Sequence, residues 1–301
     1  MEEKVAKVRK RAKGTQRKEI WRRYKKNKPA LIGLFILGVI LFFIIFAPLF
    51  ANYEEMAIKQ GQAPKFLKPS LKGIFTKDSH ILGTDLLGRD IFARILYGGR
   101  NTLTIGLFST IVSVLIGGII GASVAYYGGK FDNIVMRLMD VINCIPSMLL
   151  SLAIIASLGP SLINLLIGMT ISSIPGYVRL VRAVVLTVVD QDYIEATHAC
   201  GTSDFRIITK HIIPNAMGPI IIQAATSVAG MILLASGLSY LGLGIQPPAP
   251  EWGSMLSEAK DYMRTAPFLI VVPGVTIIVS ALSITLIGDG LRDALDPKLK
   301  D

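Results

Sequence analysis

The chain has 301 residues, 51% of them hydrophobic, with a mean hydropathy of +0.54 and a formal net charge of +11. This composition excludes an ordinary soluble domain, because the apolar residues gather in runs of the roughly 20 residues that a helix needs to cross about 30 Å of hydrocarbon. The alternating apolar and polar pattern of a membrane barrel does not occur, so the sequence predicts membrane-spanning helices.

The positive charge is concentrated in a tail at residues 1–29, where thirteen Lys or Arg and three Glu give a net charge of +10. The tail precedes the first apolar run directly, where the positive-inside rule predicts a cytoplasmic segment attracted to anionic membrane lipid. This interpretation is favoured over nucleic-acid binding, and we expect no nucleic-acid partner. The apolar run is of full length, so residues 30–50 are predicted to form a retained transmembrane helix and not a cleaved signal peptide.

Six apolar runs predict an all-α, polytopic protein of the cytoplasmic membrane with both termini in the cytoplasm. In chain order they are Ala30–Phe50, Asn101–Tyr127, Ile134–Leu158, Leu162–Val188, Ala216–Ile245 and Ala266–Gly288. Residues 51–100 are expected to lie outside the membrane, with an interfacial helix, and their Lys-rich part at 52–79 is interpreted as a solvated loop. Residues 101–288 form a five-helix core with a cytoplasmic loop at 190–215, and residues 289–301 form a cytoplasmic tail.

The outer segment leads into GTDLLGRDIFARILYGGRNTL, at Gly83–Leu103. Thr84 or Asp85 is expected to cap an amphipathic helix at the outer interface, which Gly98 and Gly99 would end. Two acid–base pairs at i,i+4 spacing support this helix: Asp85–Arg89 and Asp90–Arg94.

Polar or pliable residues of the third to fifth spans are candidates for lining a translocation pathway, although Ser and Thr in membrane helices often bond within the protein. They are Asn143, Ser147, Met148, Ser151, Ser172, Ser173, Thr226, Ser227 and Ser236. Asp140 lies near the inner end of the third span, and Arg179 and Arg182 lie near the inner end of the fourth. These charges either extend to the cytoplasmic interface or pair as an inner gate. Pro146, Pro175 and Pro273 are expected to bend their helices.

The polar segment from Glu195 to Asn215 predicts a helix–turn–helix between the fourth and fifth spans. Asp190 or Asp192 can begin the first helix, and Gly201 can end it with a positive φ. Thr202 or Ser203 can cap the second helix. Its apolar face is predicted to contain Phe205, Ile208 and Ile212, with Pro214 closing the element before the fifth span.

The sequence contains no pattern of residues that would hold a catalytic group, a metal or a nucleotide. Cys144 and Cys200 lie in different parts of the predicted topology, so we expect no disulfide. His80, His198 and His211 are scattered and lack metal-ligand spacing. The G-x-x-x-x-G-K-[ST] nucleotide motif is absent as well. We therefore expect a non-enzymatic chain without a cofactor of its own.

Several of these segments resemble one known family. Glu195-Ala196, Gly201 and Pro214 have the spacing of the EAA loop of permeases in binding-protein-dependent ABC importers. The narrower GTDLLGRD match, with residues Gly83, Thr84, Asp85, Gly88, Arg89 and Asp90, resembles the dipeptide, oligopeptide and nickel permeases of that family. NKPALIGL, PPAPEWGSMLSEA and GDGLRDALDPKL match the same subfamily, so the resemblance extends from Asn27 onward and fits the second, C-type permease of the pair.

The resemblance implies a type I ABC importer permease fold and names the residues that would couple the chain to ATP hydrolysis. These are Tyr193, Glu195, Ala196, Gly201 and Pro214. The implied partners are a homologous second permease, two ATP-binding subunits that hold ATP and Mg, and an extracytoplasmic substrate-binding protein. Peptide cargo is favoured and a nickel complex is the alternative. An ion-coupled secondary transporter is disfavoured, because no acidic residue lies in the middle of a predicted span.

Overall fold

The computed structural model describes residues 18–70 and 80–295. In these ranges the structure is helical, with an isolated bridge between Thr84 and Asp90. The helices are α1 (18–24), α2 (Lys28–Ile45), α3 (Ala47–Phe50), α4 (Ile91–Tyr127), α5 (Gly129–Asn143), α6 (Ser147–Leu158), α7 (Leu162–Val189), α8 (Asp192–Ala199), α9 (Asp204–Ile207), α10 (Ile213–Tyr240), α11 (Trp252–Ala259) and α12 (Phe268–Leu295). Short π-helical segments occur at Tyr53–Ile58 and Ile208–Ile212, and a 3₁₀ turn at Lys260–Tyr262.

Five helical segments are long and apolar enough to cross a membrane, and a bent helix pair gives a sixth span if it is counted as one. The single third helix that was expected at 134–158 is instead α5 followed by α6, with an angle of 81° between them. Pro146 is the N-cap of α6, at the predicted bend. Proline cannot donate a backbone hydrogen bond to continue a helix, which accounts for the break there. Pro175 and Pro273, in contrast, lie inside the continuous helices α7 and α12.

The start of the second span differs from the prediction. α4 begins at Ile91, with the Asp90 side chain accepting a hydrogen bond from the Ala93 N–H at 2.7 Å, and it continues through Gly98 and Gly99 for 37 residues. A Cβ atom at Gly99 would lie 2.7 Å from the Trp252 ring. These glycines therefore permit close packing inside a long helix, and the prediction that they end a separate interfacial helix was wrong.

The most extensive helix contact in the bundle joins α4 to α7. Cβ atoms at Gly117 and Gly121 would lie 2.5 Å from the Tyr177 Cβ and 2.6 Å from the Val178 carbonyl oxygen. Backbones that approach this closely gain van der Waals contact, which is a main source of helix association in lipid.

Contacts between helix termini show which termini lie at the same end of the bundle. Asn27 at the start of α2 donates to Asp293 of α12 at 2.8 Å, whereas Arg100 of α4 donates to the Ile44 carbonyl, at the far end of α2, at 3.0 Å. α4 then crosses the bundle and ends beside α8, where Tyr126 contacts His198. We call the end that holds α1, α8 and the last turns of α12 the loop end, and the opposite end the outer-segment end.

Candidate docking loop and translocation groove

The first helix of the EAA-like loop, α8, is a short helix with a defined stop. It begins at Asp192, one of the two predicted starting residues, with Gln191 as its N-cap. Gly201 follows it with φ of +69°, the left-handed value that was predicted. No atom lies within 4 Å of a Cβ built on Gly201, so the glycine is required there by backbone conformation and not by crowding.

The second half of the loop follows the prediction in part. Ser203 is the N-cap of α9 and Ile212 is buried, as predicted, but Phe205 is 78% exposed and Ile207 is buried in its place. The reason is the π-helical segment that follows, whose wider turns place residues five apart on one face. Pro214 stands in the first turn of α10, where a missing N–H is tolerated, so it does not close the element before the fifth span as expected.

α8 is fixed to the bundle on one side. Ile194 is buried, and it packs in one core cluster with Ile207 and Ile212. Tyr126, at the end of α4, donates to Asp204 Oδ1 at 2.8 Å, and its ring stacks on His198 with 5.6 Å between centroids. These contacts fix α8 and α9 to the end of α4.

The opposite side of α8 is free for another molecule. Tyr193, Glu195 and Ala196 are exposed, and in the described part of the chain the Glu195 carboxylate forms no ion pair. A neighbouring open pocket of about 490 Å³ is lined in part by acidic side chains: Asp190, Glu195 and Asp204. The surface beside α8 thus carries three carboxylates and is suited to a basic partner surface.

A second open groove, of about 530 Å³, lies among α6, α7 and α10. Its lining residues are Ser147, Ser173, Gly176, Tyr177, Leu180, Gln223, Ser227, Gly230, Met231 and Leu234. Three of them are pathway candidates from the sequence: Ser147, Ser173 and Ser227. The lining is mainly apolar, with hydroxyl and amide groups from serine, tyrosine and glutamine side chains, and it contains no charged side chain. We call it the translocation groove.

Four other candidates lie at helix contacts outside the translocation groove. The buried hydroxyls of Ser151 and Ser172 are 2.8 Å apart and join α6 to α7. Thr226 donates within its own helix to the Ile222 carbonyl at 3.2 Å. Ser236 is buried where a Cβ at Gly253 would lie 2.5 Å from its carbonyl oxygen. These residues pack helices together, which is the common use of small polar residues in membranes.

The remaining candidates lie near the break between α5 and α6. Asn143 and Met148 are exposed, and with its amide oxygen turned toward Arg179, Asn143 accepts hydrogen bonds from that guanidinium at 2.9 and 3.0 Å. Sequence reasoning missed Gln223, whose amide donates to Ser227 Oγ at 3.2 Å within the translocation groove. The i,i+4 spacing of Gln223 and Ser227 on one helix face could have identified it.

The charges near the loop end form two pairs between α5 and α7. Arg179 donates to Asp140 at 2.7 Å, with the side chains 44% and 52% exposed. Arg182 makes two hydrogen bonds to Asp132, at 2.7 and 2.5 Å. Of the alternatives left open by the sequence, Asp140 therefore pairs with Arg179, while the partner of Arg182 is Asp132.

The GTDLLGRD segment is a buried cluster at the outer-segment end and not an amphipathic surface helix. Arg89 donates to Asp85 at 2.6 Å, as predicted, and both are buried. Arg94 does not pair with Asp90; it contacts Glu258 at 3.1 Å and Asp85 at 3.6 Å. Asp90 instead lies 2.7 Å from His80 Nδ1 while capping α4, because the backbone before Ile91 is not helical.

Thr84 and two glycines fasten the preceding segment to this cluster. Thr84 Oγ1 donates to the Pro64 carbonyl at 2.6 Å and accepts from the Leu67 N–H at 2.9 Å. Gly83 and Gly88 have positive φ, and a Cβ on either would lie 2.2 Å from a carbonyl oxygen. The described part of the Lys-rich segment, residues 52–70, is therefore fastened to the bundle at a few points, while most of its side chains are exposed, in keeping with a solvated loop; residues 71–79 lie outside the described residues.

Neither cysteine forms a disulfide within the described residues. Cys144 and Cys200 are free thiols. In residues 18–70 and 80–295, no group of three or more His, Cys, Asp or Glu side chains is arranged to hold a metal ion.

With this geometry in place, comparison with known families assigns the chain. Residues 113–301 match the family described as the binding-protein-dependent transport system inner membrane component. The chain belongs to that family. Residues 15–69 also match the N-terminal transmembrane domain of oligopeptide transport permease C, which agrees with the C-type permease expected from the sequence.

Similar proteins cover nearly the whole chain. A di/tripeptide transport system permease protein of Pseudomonas aeruginosa is 44% identical over 94% of this chain and 93% of its own length. The dipeptide transport system permease protein of Escherichia coli is 40% identical over 95% and 94%. A glutathione transport system permease protein of Pectobacterium atrosepticum is 38% identical over 97% and 95%.

Among solved structures, an inward-facing MetNI methionine ABC transporter matches 66% of this chain and 94% of the compared chain, with a TM-score of 0.55 and 18% identity. This likeness supports the type I importer permease fold expected from the sequence. Together with the apolar spans, it identifies a multi-pass membrane protein.

Proposed function

We propose that this chain is the C-type permease of an ABC importer that moves di- or oligopeptides across the cytoplasmic membrane, with the loop end in the cytoplasm. The observation that carries the proposal is the translocation groove, which is open, contains no charged side chain, and sets hydroxyl and amide groups among apolar side chains. A peptide backbone presents amide donors and acceptors, and groove hydroxyls and the Gln223 amide can exchange hydrogen bonds with them. The open side would be closed by a homologous second permease. The names of the full-length relatives favour peptides over a nickel complex.

Movement would reach the groove through α8. One of two ATP-binding partner subunits, which would hold ATP and Mg, docks on the exposed face with Tyr193, Glu195 and Ala196. Because Ile194 packs against α4 and Tyr126 of α4 stacks on His198, a displacement of the partner is passed to the bundle and not absorbed by the loop. An extracytoplasmic substrate-binding protein would deliver the peptide at the opposite end.

The Asp140–Arg179 pair is proposed to act as an inner gate. It joins α5 to α7 beside the break that precedes Ser147, a groove residue. Both side chains are about half exposed, so the pair can open without burying an unpaired charge. Arg182, bound to Asp132, would keep α5 attached when Asp140 and Arg179 separate.

Uptake by cells tests the proposal. Deleting the gene should abolish ATP-dependent accumulation of labelled dipeptide and tripeptide, and the intact gene should restore it. Loss of nickel uptake in place of peptide uptake would refute the peptide assignment. Peptide uptake by the purified chain alone, without ATP, would refute the importer mechanism.

Co-purification tests the docking face separately. Glu195→Arg should prevent recovery of the ATP-binding subunits with the chain, because the reversal places a positive charge on an acidic face. Glu55→Arg, an exposed charge reversal at the outer-segment end, should leave that recovery unchanged. Equal recovery in both variants would contradict docking on α8.

A further inference from the structure

An apolar groove at the loop end belongs neither to the translocation groove nor to the docking face. It has a volume of about 320 Å³ and lies between α1, α2 and α12. It is lined by Ile20, Trp21, Tyr24, Leu34, Ile287 and Leu291. Trp21 and Leu34 are 50% and 41% exposed, so the described residues leave the groove open. We call it the lateral groove.

The lateral groove is a built feature, because α1 is anchored against the end of α12. Tyr24 is buried together with Ala30 and Ala294 in one cluster. A Cβ on Gly290 would lie 2.2 Å from the Ala30 Cβ and 3.1 Å from the Tyr24 ring. The Tyr24 hydroxyl is buried and has no hydrogen-bond partner in the described part of the chain. α1 is therefore held across the bundle end, with Trp21 beside an unfilled apolar surface.

The segment that contains α1 and leads into α2, along one wall of the lateral groove, is strongly basic. Residues 18–28 contain six Lys or Arg and one Glu, a net charge of +5. Two acidic side chains of this region have partners, since Glu19 bonds Arg23 and Asp293 bonds Asn27, each at 2.8 Å, whereas Asp289 of α12 is exposed. Lys25 Nζ lies 5.2 Å from the centre of the Trp21 ring, which places an exposed ammonium group at the groove.

We propose that the lateral groove binds an anionic phospholipid of the leaflet at the loop end. One acyl chain would occupy the groove, and the phosphate would lie between the exposed ammonium groups of Lys25 and Lys26. The two halves of the site match the two halves of such a lipid: an apolar lining takes hydrocarbon, and a net positive collar takes a negative headgroup. A water-soluble anion has no hydrocarbon chain that could fill the apolar lining. The site depends on neither the cargo nor the ATP-binding partners, so it goes beyond the proposed function.

Tryptophan quenching by brominated lipid tests this proposal on the full chain in vesicles. The chain has two tryptophans, and Trp252 is buried at the opposite end of the bundle. The Trp21 signal is therefore the difference between the natural chain and Trp21→Phe. Vesicles of unbrominated phosphatidylcholine receive increasing fractions of a lipid with brominated acyl chains, which is either phosphatidylglycerol or phosphatidylcholine. Bromine quenches tryptophan fluorescence on contact.

We expect half-maximal quenching of Trp21 at a roughly tenfold lower mole fraction of phosphatidylglycerol than of phosphatidylcholine, as two partly screened lysines would give. The double variant Lys25→Gln, Lys26→Gln should lose most of this preference. The matched variant Lys59→Gln, Lys65→Gln, with the same charge loss at exposed positions of the outer-segment end, should keep it.

Three results would overturn the proposal. Equal quenching by the two lipids would show that the groove is ordinary lipid-exposed surface. A preference that survives in the Lys25, Lys26 variant would place the headgroup elsewhere. No quenching by either lipid would show that protein fills the groove.

Discussion

Glu258 is predicted to stabilise the outer-segment end more than any exposed acidic residue near it. It accepts hydrogen bonds from Arg89 at 2.5 Å and from Arg94 at 3.1 Å. Both arginines are buried, with 0% and 1% of their surface exposed, and Asp85 is their other acidic partner. Glu258→Gln removes one negative charge and leaves two buried guanidinium groups sharing Asp85.

The magnitude follows from burial. Breaking a buried ion pair by removing one partner costs about 3–5 kcal/mol, because the other charge is left unpaired. The Glu258 side chain is 20% exposed, so water can compensate in part, and we expect a loss of about 2–3 kcal/mol. At about 2–4 °C per kcal/mol for a chain of this size class, the melting temperature should fall by roughly 5–10 °C.

The assay is thermal unfolding of the purified chain in detergent at a fixed heating rate, followed by tryptophan fluorescence. Asp261→Asn is the matched control, because Asp261 is exposed, lies three residues away and loses the same charge. The double variant Glu258→Gln, Arg94→Met should be less destabilised than the sum of its single variants, by about 1 kcal/mol or more.

A Glu258→Gln melting temperature within about 1 °C of the Asp261→Asn value would refute the reasoning, since it would mean that the buried charges are paired through water. Strict additivity of the Glu258 and Arg94 variants would show that these two side chains do not interact.

Three further predictions concern the span contacts and the loop end. Gly121→Ala should lower the melting temperature, because overpacking against α7 costs about 1–3 kcal/mol of stability. Gly118→Ala places its methyl group in open space and should leave the melting temperature unchanged. Equal melting temperatures of the two variants would contradict the close approach of α4 and α7. Gly201→Ala should weaken recovery of the ATP-binding subunits, since a left-handed backbone costs a non-glycine residue roughly 1–2 kcal/mol, and unchanged recovery would show that the loop adapts. Asp140→Asn should raise basal leak of substrate or uncouple ATP hydrolysis from transport; unchanged leak, transport and ATPase rate would refute the inner gate.

What could be predicted from the sequence was mostly local. Span lengths follow from runs of apolar residues, and the 81° bend lies where Pro146 interrupts a run. Gly201 ends α8 because a positive φ at the end of a short helix favours glycine in any fold. The Asp85–Arg89 pair has i,i+4 spacing and formed even though the segment is not a regular helix.

What the sequence could not supply depends on contacts between distant residues or on a local change of helix type. Arg94 pairs with Glu258, 164 positions later, and local spacing favoured Asp90 instead. The π-helical turn after α9 shifted the buried face from Phe205 to Ile207, and a regular repeat of 3.6 residues does not predict that shift. Likewise, the burial of Ser151 against Ser172 is decided by how α6 meets α7, which the polarity of a serine does not reveal.

The two ends of the bundle differ in how their charges are held, and this difference indicates which end rearranges. At the outer-segment end, Arg89 and Arg94 are buried among carboxylates, where separating a pair costs several kcal/mol. Near the loop end, Asp140 and Arg179 are about half exposed, where an ion pair is worth about 0–1 kcal/mol. A displacement of α8 that delivers a few kcal/mol can therefore separate α5 from α7 near Ser147 while the outer-segment end stays intact. On this argument the translocation groove opens first beside the loop.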